Sequence, residues 1–278
     1  DTDIIDLVKE LGLGDRLLYL KSKMGLLYGD RIYPFATPLD LLKFSPIPLW
    51  DRVRVGLVTL WLKSIQDYRG LEKVKAAYWL RKWMGQKGYK VIWEPLLEGK
   101  FGKHKEEITM AWMWSRLSGR AKTRTSGGGK EELVYPRYGF KSLIDAMAAK
   151  ILGAGNHIEL NIAIEKVFEG NRLVVRAGGK DNFFDKVFIT TPINVFLRLV
   201  EGLPTSYRDK LSQIKYRGAH VAVLVLNRSL MPDGYYWLNV NNRSLPLLAV
   251  IEHTNLLPKE DYGGKHIVYL GNYPDPQD

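Results

Sequence analysis

Hydrophobic residues recur at helical spacing through the first half of the chain. Apolar residues at positions 4, 5, 7, 8 and 11 predict a helix that ends at Gly12. Residues 39–67 predict two helices separated by Ser45-Pro-Ile-Pro, and the Asp51 side chain is expected to cap the second one. The other predicted helices of this half are residues 71–84 and 105–120, with a short apolar element at 92–97 between them.

Alternating apolar and polar positions predict strands in the rest of the chain. An early hairpin is predicted at residues 24–35, turning at Gly29-Asp30. Beyond a helix at 142–151, the predicted strands are 157–161, 171–177, 185–191, 219–226, 235–240, 247–253 and 266–273, with short helices at 194–200 and 205–214. Because consecutive strands in the tail can pair antiparallel through short loops, the pattern predicts an α+β fold.

The order of these elements predicts three segments. A helix-rich segment covers residues 1–133, an α/β segment covers 134–200, and a sheet-forming segment covers 201–278. The basic stretch 121–130, which contains Ser126-Gly-Gly-Gly, is expected to be a flexible loop. The chain starts without Met and stops at Pro274-Asp-Pro-Gln-Asp278, and we expect both ends to be cuts within a longer protein.

Composition narrows the kinds of chemistry available. The 278 residues include no cysteine, which excludes disulfides, thiolate metal sites and cysteine nucleophiles. No apolar run reaches the roughly 18 residues that span a bilayer. The absence of cysteine fits a reducing compartment, so we expect a cytoplasmic location.

Positive charge is concentrated in one part of the chain. Residues 43–130 contain 19 Lys or Arg against 7 Asp or Glu, whereas the rest contains 22 against 23. Such a segment can attract an anionic lipid surface, which would make the protein membrane-peripheral, or an acidic partner. It is equally typical of a solvated helical surface. No helix-turn-helix, zinc-finger or RNP signature accompanies the charge, so nucleic acid is not the expected partner.

No self-sufficient catalytic motif is present. The chain has no Gly-x-Ser-x-Gly elbow, no His-x-x-x-His pair among its five histidines, and no Walker pattern, since Gly127-Gly-Gly-Lys130 lacks the following Ser or Thr. The Gly-x-Gly-x-x-Gly dinucleotide fingerprint is absent too. We therefore expect no metal site, and the catalytic residues stay unassigned.

One block resembles a known family. It runs Tyr135-Pro-Arg-Tyr-Gly-Phe140, continues into the predicted helix at 142–151, and closes on Thr190-Thr191-Pro192. This order resembles the interior of the flavin-containing amine oxidase superfamily, which includes protoporphyrinogen oxidases and phytoene desaturases. The stretches that resemble one oxidoreductase subgroup are Trp93-Glu-Pro-Leu-Leu-Glu-Gly-Lys-Phe-Gly102, Trp112-Met-Trp-Ser-Arg116, Trp237-Leu-Asn-Val240, Glu252-His-Thr-Asn255 and Tyr269-Leu-Gly-Asn-Tyr273.

The resemblance implies a fold, a cofactor and a set of contacts. It implies a substrate domain with an antiparallel or mixed sheet and a helical subdomain, formed by 1–133 and 201–278, and a partial FAD-binding α/β domain at 134–200. FAD would take a hydride from an organic substrate. The residues implied at the cofactor are Arg137, Gly139, Ile164, Thr190, Thr191 and Pro192, and those implied at an apolar or lipid-like substrate are Tyr235, Tyr236 and Trp237.

Three readings stay open at the level of sequence. The first is an FAD-dependent oxidoreductase that lacks both cofactor-binding ends and therefore holds FAD poorly alone. The second is a flavin-dependent sugar mutase, which would share the fold without net redox change. The third is a non-catalytic module that binds through the basic segment at 43–130.

Overall fold

Mixed helices and open sheets confirm the predicted α+β class. The computed structural model describes residues 2–122, 132–242 and 244–274. The predicted flexible loop at 121–130 lies outside these ranges from residue 123 onward. Within the described ranges, no helix combines the length and apolar character required to traverse a bilayer.

Ten α-helical segments occur in the described residues, and a π-helical turn, Tyr89–Trp93, connects two of them. The helices are α1 (Thr2–Glu10), α2 (Pro38–Lys43), α3 (Leu49–Ser64), α4 (Ala76–Met84), α5 (Gln86–Gly88), α6 (Glu94–Phe101), α7 (Met110–Lys122), α8 (Phe140–Gly153), α9 (Ile193–Leu199) and α10 (Thr205–Ser212).

Eleven strands in the described residues form three sheets. They are β1 (Leu17–Lys21), β2 (Met24–Tyr28), β3 (Arg31–Pro34), β4 (Glu132–Pro136), β5 (Ile164–Glu169), β6 (Leu173–Ala177), β7 (Lys180–Phe184), β8 (His220–Leu226), β9 (Trp237–Val240), β10 (Ala249–Glu252) and β11 (His266–Asn272).

The chain divides into two compact units, each built from two stretches. The small unit comprises Asp1–Asp15 and Tyr138–Tyr216, and the large unit comprises Arg16–Arg137 and Arg217–Asp278. This division places α1 with the middle of the chain and extends the middle stretch beyond residue 200. The roles assigned to the segments 1–133, 134–200 and 201–278 stay predictions.

A six-stranded sheet organises the large unit. Its order is β3-β2-β9-β10-β11-β8, and β1 pairs separately with β4. The tail strands pair antiparallel, as the sequence predicts, but β8 joins the far side of β11 instead of its sequence neighbour β9. The predicted hairpin is confirmed as β2 and β3, and β2 adds to the sheet by pairing parallel with β9, so that Met24 lies beside Trp237.

Helices α2 to α7 enclose the main core of the large unit. Residues on α3, α4 and α7 bury one apolar face each, and the Trp114 indole Nε1 donates to the Leu62 carbonyl at 3.0 Å. The largest side chains fully buried in this core are Leu26, Phe44, Ile47, Leu62, Leu80, Met84, Tyr89, Leu97, Met110 and Met113. A strand residue, Leu26, belongs to this set, so the helices pack against the sheet.

Local hydrogen bonding explains where the helices begin. Thr37 caps α2 through a capping box with Asp40, as expected for Thr before a Pro-led first turn. The expectation that Asp51 caps α3 is wrong, because the helix already begins at Leu49 behind Pro48. The apolar element predicted at 92–97 is helical as well: it lies across the π turn and α6, where Pro95 falls in the first turn and needs no amide partner.

The small unit combines α1, α8, α9 and α10 with the three-stranded sheet β5-β6-β7. Two of its predicted strands, 157–161 and 185–191, are not strands in the structure. Residues 157–161 alternate apolar and polar side chains and residues 187–189 are consecutively apolar, but neither stretch forms a ladder with a described strand. The Phe188 side chain is 88% exposed as a consequence.

A pair of leucines on α3 tests the assignment of the core. Leu62 is fully buried whereas Leu60 is 59% exposed, two residues away on the same helix. We expect Leu62→Ala to lower the free energy of unfolding by about 2–5 kcal/mol because it leaves a cavity. Leu60→Ala should change it by less than about 0.5 kcal/mol. Chemical denaturation followed by circular dichroism measures both, and equal losses would contradict the packing described.

Candidate functional site

The large unit contains a cavity of about 290 Å³ that is partly open to solvent. One wall is the six-stranded sheet. The opposite wall is formed by α6, by α7 and by the π turn Tyr89–Trp93, which precedes α6. Most of the lining is apolar or aromatic. It comprises Leu26, Phe35, Ile92, Trp93, Leu96, Lys100, Trp112, Met113, Arg116, Leu117, Ala219, His220, Val221, Trp237, Asn239, Asn241, Leu248, Ala249, Ile251, Tyr269, Gly271, Asn272 and Tyr273.

Strand alternation explains the sheet wall. Trp237, Ile251 and Tyr269 are directly paired across β9, β10 and β11, so their side chains form one row on the same face of the sheet. The next row contains Ala249 and Gly271, whose small size leaves room for a bound molecule. The row of large side chains on the sheet wall is therefore followed by a row that contains two small ones.

The polar groups of the sheet wall are held in fixed positions. The Trp237 indole Nε1 donates to the Asn239 Oδ1 at 3.0 Å. The Asn241 side-chain amide donates to the Val91 carbonyl at 2.7 Å, which ties the end of β9 to the π turn. These bonds orient the polar lining before any ligand binds.

The π turn contributes one polar atom without a partner. The Trp93 indole Nε1 is buried and makes no hydrogen bond to any described residue. An unsatisfied buried donor costs about 1–3 kcal/mol. Since Trp93 lines the cavity, a bound acceptor that reached this indole would recover that free energy.

A cluster of tyrosines around His253 adjoins one side of the cavity. The His253 ring lies edge-on to Tyr269, a lining residue, with ring centroids 5.8 Å apart. Its Nε2 lies 2.7 Å from the Tyr262 hydroxyl, and the Tyr135 ring packs edge-on at 5.4 Å.

Burial determines the protonation states of this cluster. It lowers the pKa of His253 and raises the pKa of Tyr262 to about 12. The pKa of Tyr135 and that of Tyr236 are raised for the same reason. At neutral pH the imidazole is therefore uncharged and the phenols keep their protons, so the cluster forms a neutral wall.

The buried carboxylate next to His253 has a structural role. Glu252 is fully buried on the opposite face of the sheet from Ile251. Its Oε2 accepts from the Met231 amide at 2.6 Å, and its Oε1 lies 3.0 Å from the His266 Nδ1. These bonds connect β10 to the 231–235 loop and to β11, and Glu252 does not line the cavity.

The three residues predicted at the substrate are placed differently. Trp237 lines the cavity, whereas Tyr235 packs with Met231 and Leu238 in a separate small core. Tyr236 does not line the cavity either. The alternation of side chains along β9 does not extend to Tyr235 and Tyr236, because the strand begins only at Trp237, after the turn at 231–234. The role of all three in substrate binding stays a prediction.

Sequence reasoning missed the helical wall as part of a site. Trp93, Lys100, Trp112 and Arg116 all lie within two stretches that carry the family resemblance. The sequence signal that could have indicated this wall is the clustering of Trp with basic residues in those two stretches.

The residues predicted at FAD are mostly accessible. In the small unit, Ile164 is 42% exposed at the first position of β5, beside an irregularity in the ladder. Thr190, Thr191 and Pro192 are exposed, and Pro192 immediately precedes α9. In the large unit, Arg137 is exposed at the end of β4.

Two consecutive residues before α8 have left-handed backbones. Gly139 has a φ of 78° and forms the N-cap of the helix, whereas Tyr138, which stands where the family has glycine, has a φ of 70°. A side chain at such a φ is strained by about 1–2 kcal/mol. Tyr138 is also highly exposed, so this strained backbone lies at the surface.

The cofactor contacts assigned to these residues stay predictions. Ile164 and residues 190–192 are exposed and therefore accessible to a bound molecule. The glycine-rich turn that cradles a pyrophosphate at a helix N-terminus is missing from the sequence.

Solved structures define the class of fold. An oxidoreductase from Methanosarcina mazei is similar over 97% of this chain and 64% of its own, with a TM-score of 0.73 and 14% identity. A candidate protoporphyrinogen oxidase from Exiguobacterium sp. 255-15 matches over 99% and 64%, with a TM-score of 0.72 and 15% identity. Reduced UDP-galactopyranose mutase matches over 98% and 61%, with a TM-score of 0.68 and 12% identity. The fold is that of flavin-dependent oxidoreductases, and the chain spans less than two thirds of these structures.

A family model confirms the resemblance seen in the sequence. The model of the flavin containing amine oxidoreductases matches residues 1–277, and the chain belongs to this family. Comparison with curated proteins gives no match.

The buried histidine gives the stability of the large unit a pH dependence. Because burial lowers the pKa of His253, the unfolded chain binds a proton that the folded chain excludes once the pH falls below about 6.5. Thermal stability should therefore decrease between about pH 7.5 and pH 5.5, and His253→Gln should reduce that decrease. His104→Gln, at an exposed histidine, is the control. Identical melting profiles for the two variants would refute the assignment.

Proposed function

We propose that this chain is the substrate-binding part, and a portion of the FAD-binding part, of an FAD-dependent oxidoreductase. The observation that carries the proposal is the aromatic cavity of the large unit in a member of a flavoenzyme family. The cavity holds the organic substrate, and residues 164 and 190–192 contact the cofactor.

The residues of the chain orient the substrate and exclude water. When bound, the flavin supplies the acceptor for the substrate's hydride. The aromatic row at Trp237 and Tyr269, with Trp93 and Trp112 opposite, encloses the substrate on two sides. A neutral tyrosine–histidine wall beside this row adds no charge near the reacting carbon. This arrangement supports hydride chemistry that needs no acid or base from the protein.

The character of the lining favours an apolar substrate over a nucleotide sugar. A sugar presents many neutral hydroxyl groups that need hydrogen-bonding partners, whereas two of the three asparagines in the lining, Asn239 and Asn241, are already bonded within the protein. Burying unpaired sugar hydroxyls among tryptophans would cost binding free energy. Oxidation of an apolar molecule therefore fits the cavity better than mutase chemistry.

The small unit supports the proposal that further segments complete the cofactor site. One face of α8 exposes Phe140, Ile144, Met147 and Ile151, which are spaced as a single apolar stripe. The neighbouring stretch at 158–164 exposes apolar residues at every second position. Apolar faces of this extent are normally covered, and we propose that segments outside these 278 residues cover them and supply the pyrophosphate site.

Flavin binding tests this proposal. We expect the purified 278-residue chain to bind FAD far below one equivalent, because it lacks the phosphate cradle. A longer product of the same gene should bind FAD near unit stoichiometry, and its flavin should be bleached anaerobically by an oxidisable substrate. Absorbance between about 350 and 500 nm, where oxidised flavin absorbs, measures both.

Two controls sharpen this test. Thr191→Trp should obstruct the cofactor and lower FAD occupancy in the longer product, whereas Lys210→Trp, on the exposed side of α10, should not. Stoichiometric FAD on the 278-residue chain would refute the proposal that the phosphate site lies outside it. Isomerisation of a nucleotide sugar without reduction of an acceptor would refute the oxidoreductase assignment.

A further inference from the structure

The charged groups around the cavity share one sign. Among the described residues that line it, Lys100 and Arg116 are cationic, and none is Asp or Glu. The two carboxylates of α6, Glu94 and Glu98, form ion pairs with Lys105 at 3.0 and 3.5 Å. The cavity therefore carries positive charge that the described lining does not neutralise.

Lys100 is held at the cavity by an aromatic ring. Its Nζ lies 4.6 Å from the centroid of the Tyr273 ring, and both residues line the cavity. The structure gives this ammonium no ion pair among the described residues. A cation–π contact leaves the ammonium protons free to donate, so Lys100 can bind an anion without breaking a salt bridge.

Arg116 lies on the same wall. Its guanidinium carbon lies 5.4 Å from the Trp112 ring centroid. The Trp112 ring in turn packs edge-on against Phe101, the neighbour of Lys100, with centroids 4.8 Å apart. This packing joins α6 to α7, the two helices that carry these cations.

Arg217 adds an uncompensated charge beside this wall. One of its terminal nitrogens donates to the Tyr273 carbonyl at 2.6 Å, while its Nε and Nη1 are buried without a described partner. The guanidinium packs against Gly102, where a Cβ would come within 2.7 Å of Nη1. Unpaired buried cations are unfavourable, and an anion at the neighbouring wall would compensate this one.

We infer that the cavity selects molecules with an anionic group next to an apolar body, and that Lys100 and Arg116 bind that group. The inference rests on the proposed function, because it names the substrate class of the same cavity. Amines, which give the family its name, would enter as cations. They would meet two like charges and no described carboxylate, so an acid is favoured over an amine.

Three probes that share one ring system test the charge preference. They are 1-naphthylacetate, 1-naphthylacetamide and 2-(1-naphthyl)ethylamine, and calorimetric titration of the full chain measures their affinities. We expect the acid to bind at least about tenfold more tightly than the amine, with the neutral amide between them. An amine that binds as well as the acid would overturn the inference.

Matched variants identify the cations responsible. Lys100→Met and Arg116→Met retain the apolar stems, and each should weaken the acid about tenfold while leaving the amide unchanged. Lys100→Arg keeps a cation at this position and should bind the acid more tightly than Lys100→Met does. Lys103→Met removes the same charge from an exposed residue outside the lining. An equal loss in this control would show a general charge effect and overturn the assignment.

Failure of this inference is distinguishable from failure of the proposed function. Amine preference in a longer product whose flavin is nevertheless reduced would overturn the acid site and leave the oxidoreductase intact. Acid selectivity in a longer product that binds no flavin would overturn the oxidoreductase proposal and leave the acid site intact.

A second surface carries an independent inference. Helix α3 exposes Trp50, Val53, Leu57, Leu60 and Trp61, which form an apolar stripe on its outer side. Trp50 is 85% exposed and Leu57 is 62% exposed. The stripe continues onto α4, because the Trp61 ring stacks on Trp79 at 5.7 Å and lies 5.8 Å from Trp83.

Basic residues accompany this stripe. Arg54 donates through its Nε to the Trp83 carbonyl at 2.7 Å and through a second nitrogen to the Lys82 carbonyl, which fixes α3 against the end of α4. The exposed cations of α2 to α5 are Lys43, Arg54, Lys63, Lys82 and Lys87. Tryptophan beside leucine and lysine is the composition of helices that lie in a lipid interface.

The geometry also points to docking of this face, α3 with the end of α4, on an anionic lipid surface. Charge complementarity supports lipid as the occupant, since residues 43–130 hold the whole net positive charge of the chain. Insertion of the apolar stripe into the lipid interface supplies one part of the affinity for the membrane, and attraction of the lysines to anionic headgroups supplies the other.

Vesicle co-sedimentation of the full chain tests this face. We expect binding to phosphatidylcholine vesicles with about 30% phosphatidylglycerol, and weaker binding to phosphatidylcholine alone or at high salt. Trp50→Ser with Leu57→Ser should reduce binding about tenfold or more, since both insert. Phe183→Ser with Phe188→Ser, at exposed positions of the small unit, should not. An equal loss of vesicle binding in both double variants would overturn the inference. Sedimentation analysis that showed the stripe to mediate dimerisation would overturn it as well.

Discussion

Parallel pairing between β2 and β9 is the interaction on which the large unit depends. It joins two stretches more than 200 residues apart, with Met24 beside Trp237 and Leu27 beside Val240. Without it, the helices that follow β3 would have no fixed place over the sheet formed by the tail. The buried bond from Asn241 to the Val91 carbonyl, at the end of the same strand, secures the π turn to that sheet. The cavity is the space left between these two parts, so its shape follows from a long-range contact.

The two walls of the cavity therefore have different tasks. The sheet supplies shape through the row at Trp237, Ile251 and Tyr269, and the Trp237 indole is hydrogen-bonded to Asn239. The helices supply charge through Lys100 and Arg116, which are held by aromatic rings and keep their donors free. In the proposed function, changes in α6 and α7 would alter which charged group is bound, while the strands keep the apolar body in place.

Local sequence signals predicted most elements but not their assembly. The hairpin at 24–35 and the tail strands follow from turn residues and alternation, and all of them form. The pairing of β2 with β9, and the position of β8 beside β11, could not be predicted because neither leaves a signal within either strand. The site was predicted in part: Trp237 reaches the cavity, whereas the helical wall depends on packing between α6 and α7. The stretches at 157–161 and 185–191 carry strand patterns without a described neighbour, and a pattern alone does not make a ladder.

The same two stretches show why membership in a family does not by itself make a cofactor site. The backbone N–H and C=O groups of residues 157–161 and 190–192 could contact a dinucleotide only if neighbouring strands held these stretches in place through hydrogen bonds. The apolar stripe on α8 and the alternating residues at 158–164 have the surfaces of a buried layer, yet both are exposed. The large unit has a buried core and a cavity between its sheet and its helices. In the proposed function, this unit binds the substrate, and flavin binding additionally needs segments that cover the small unit.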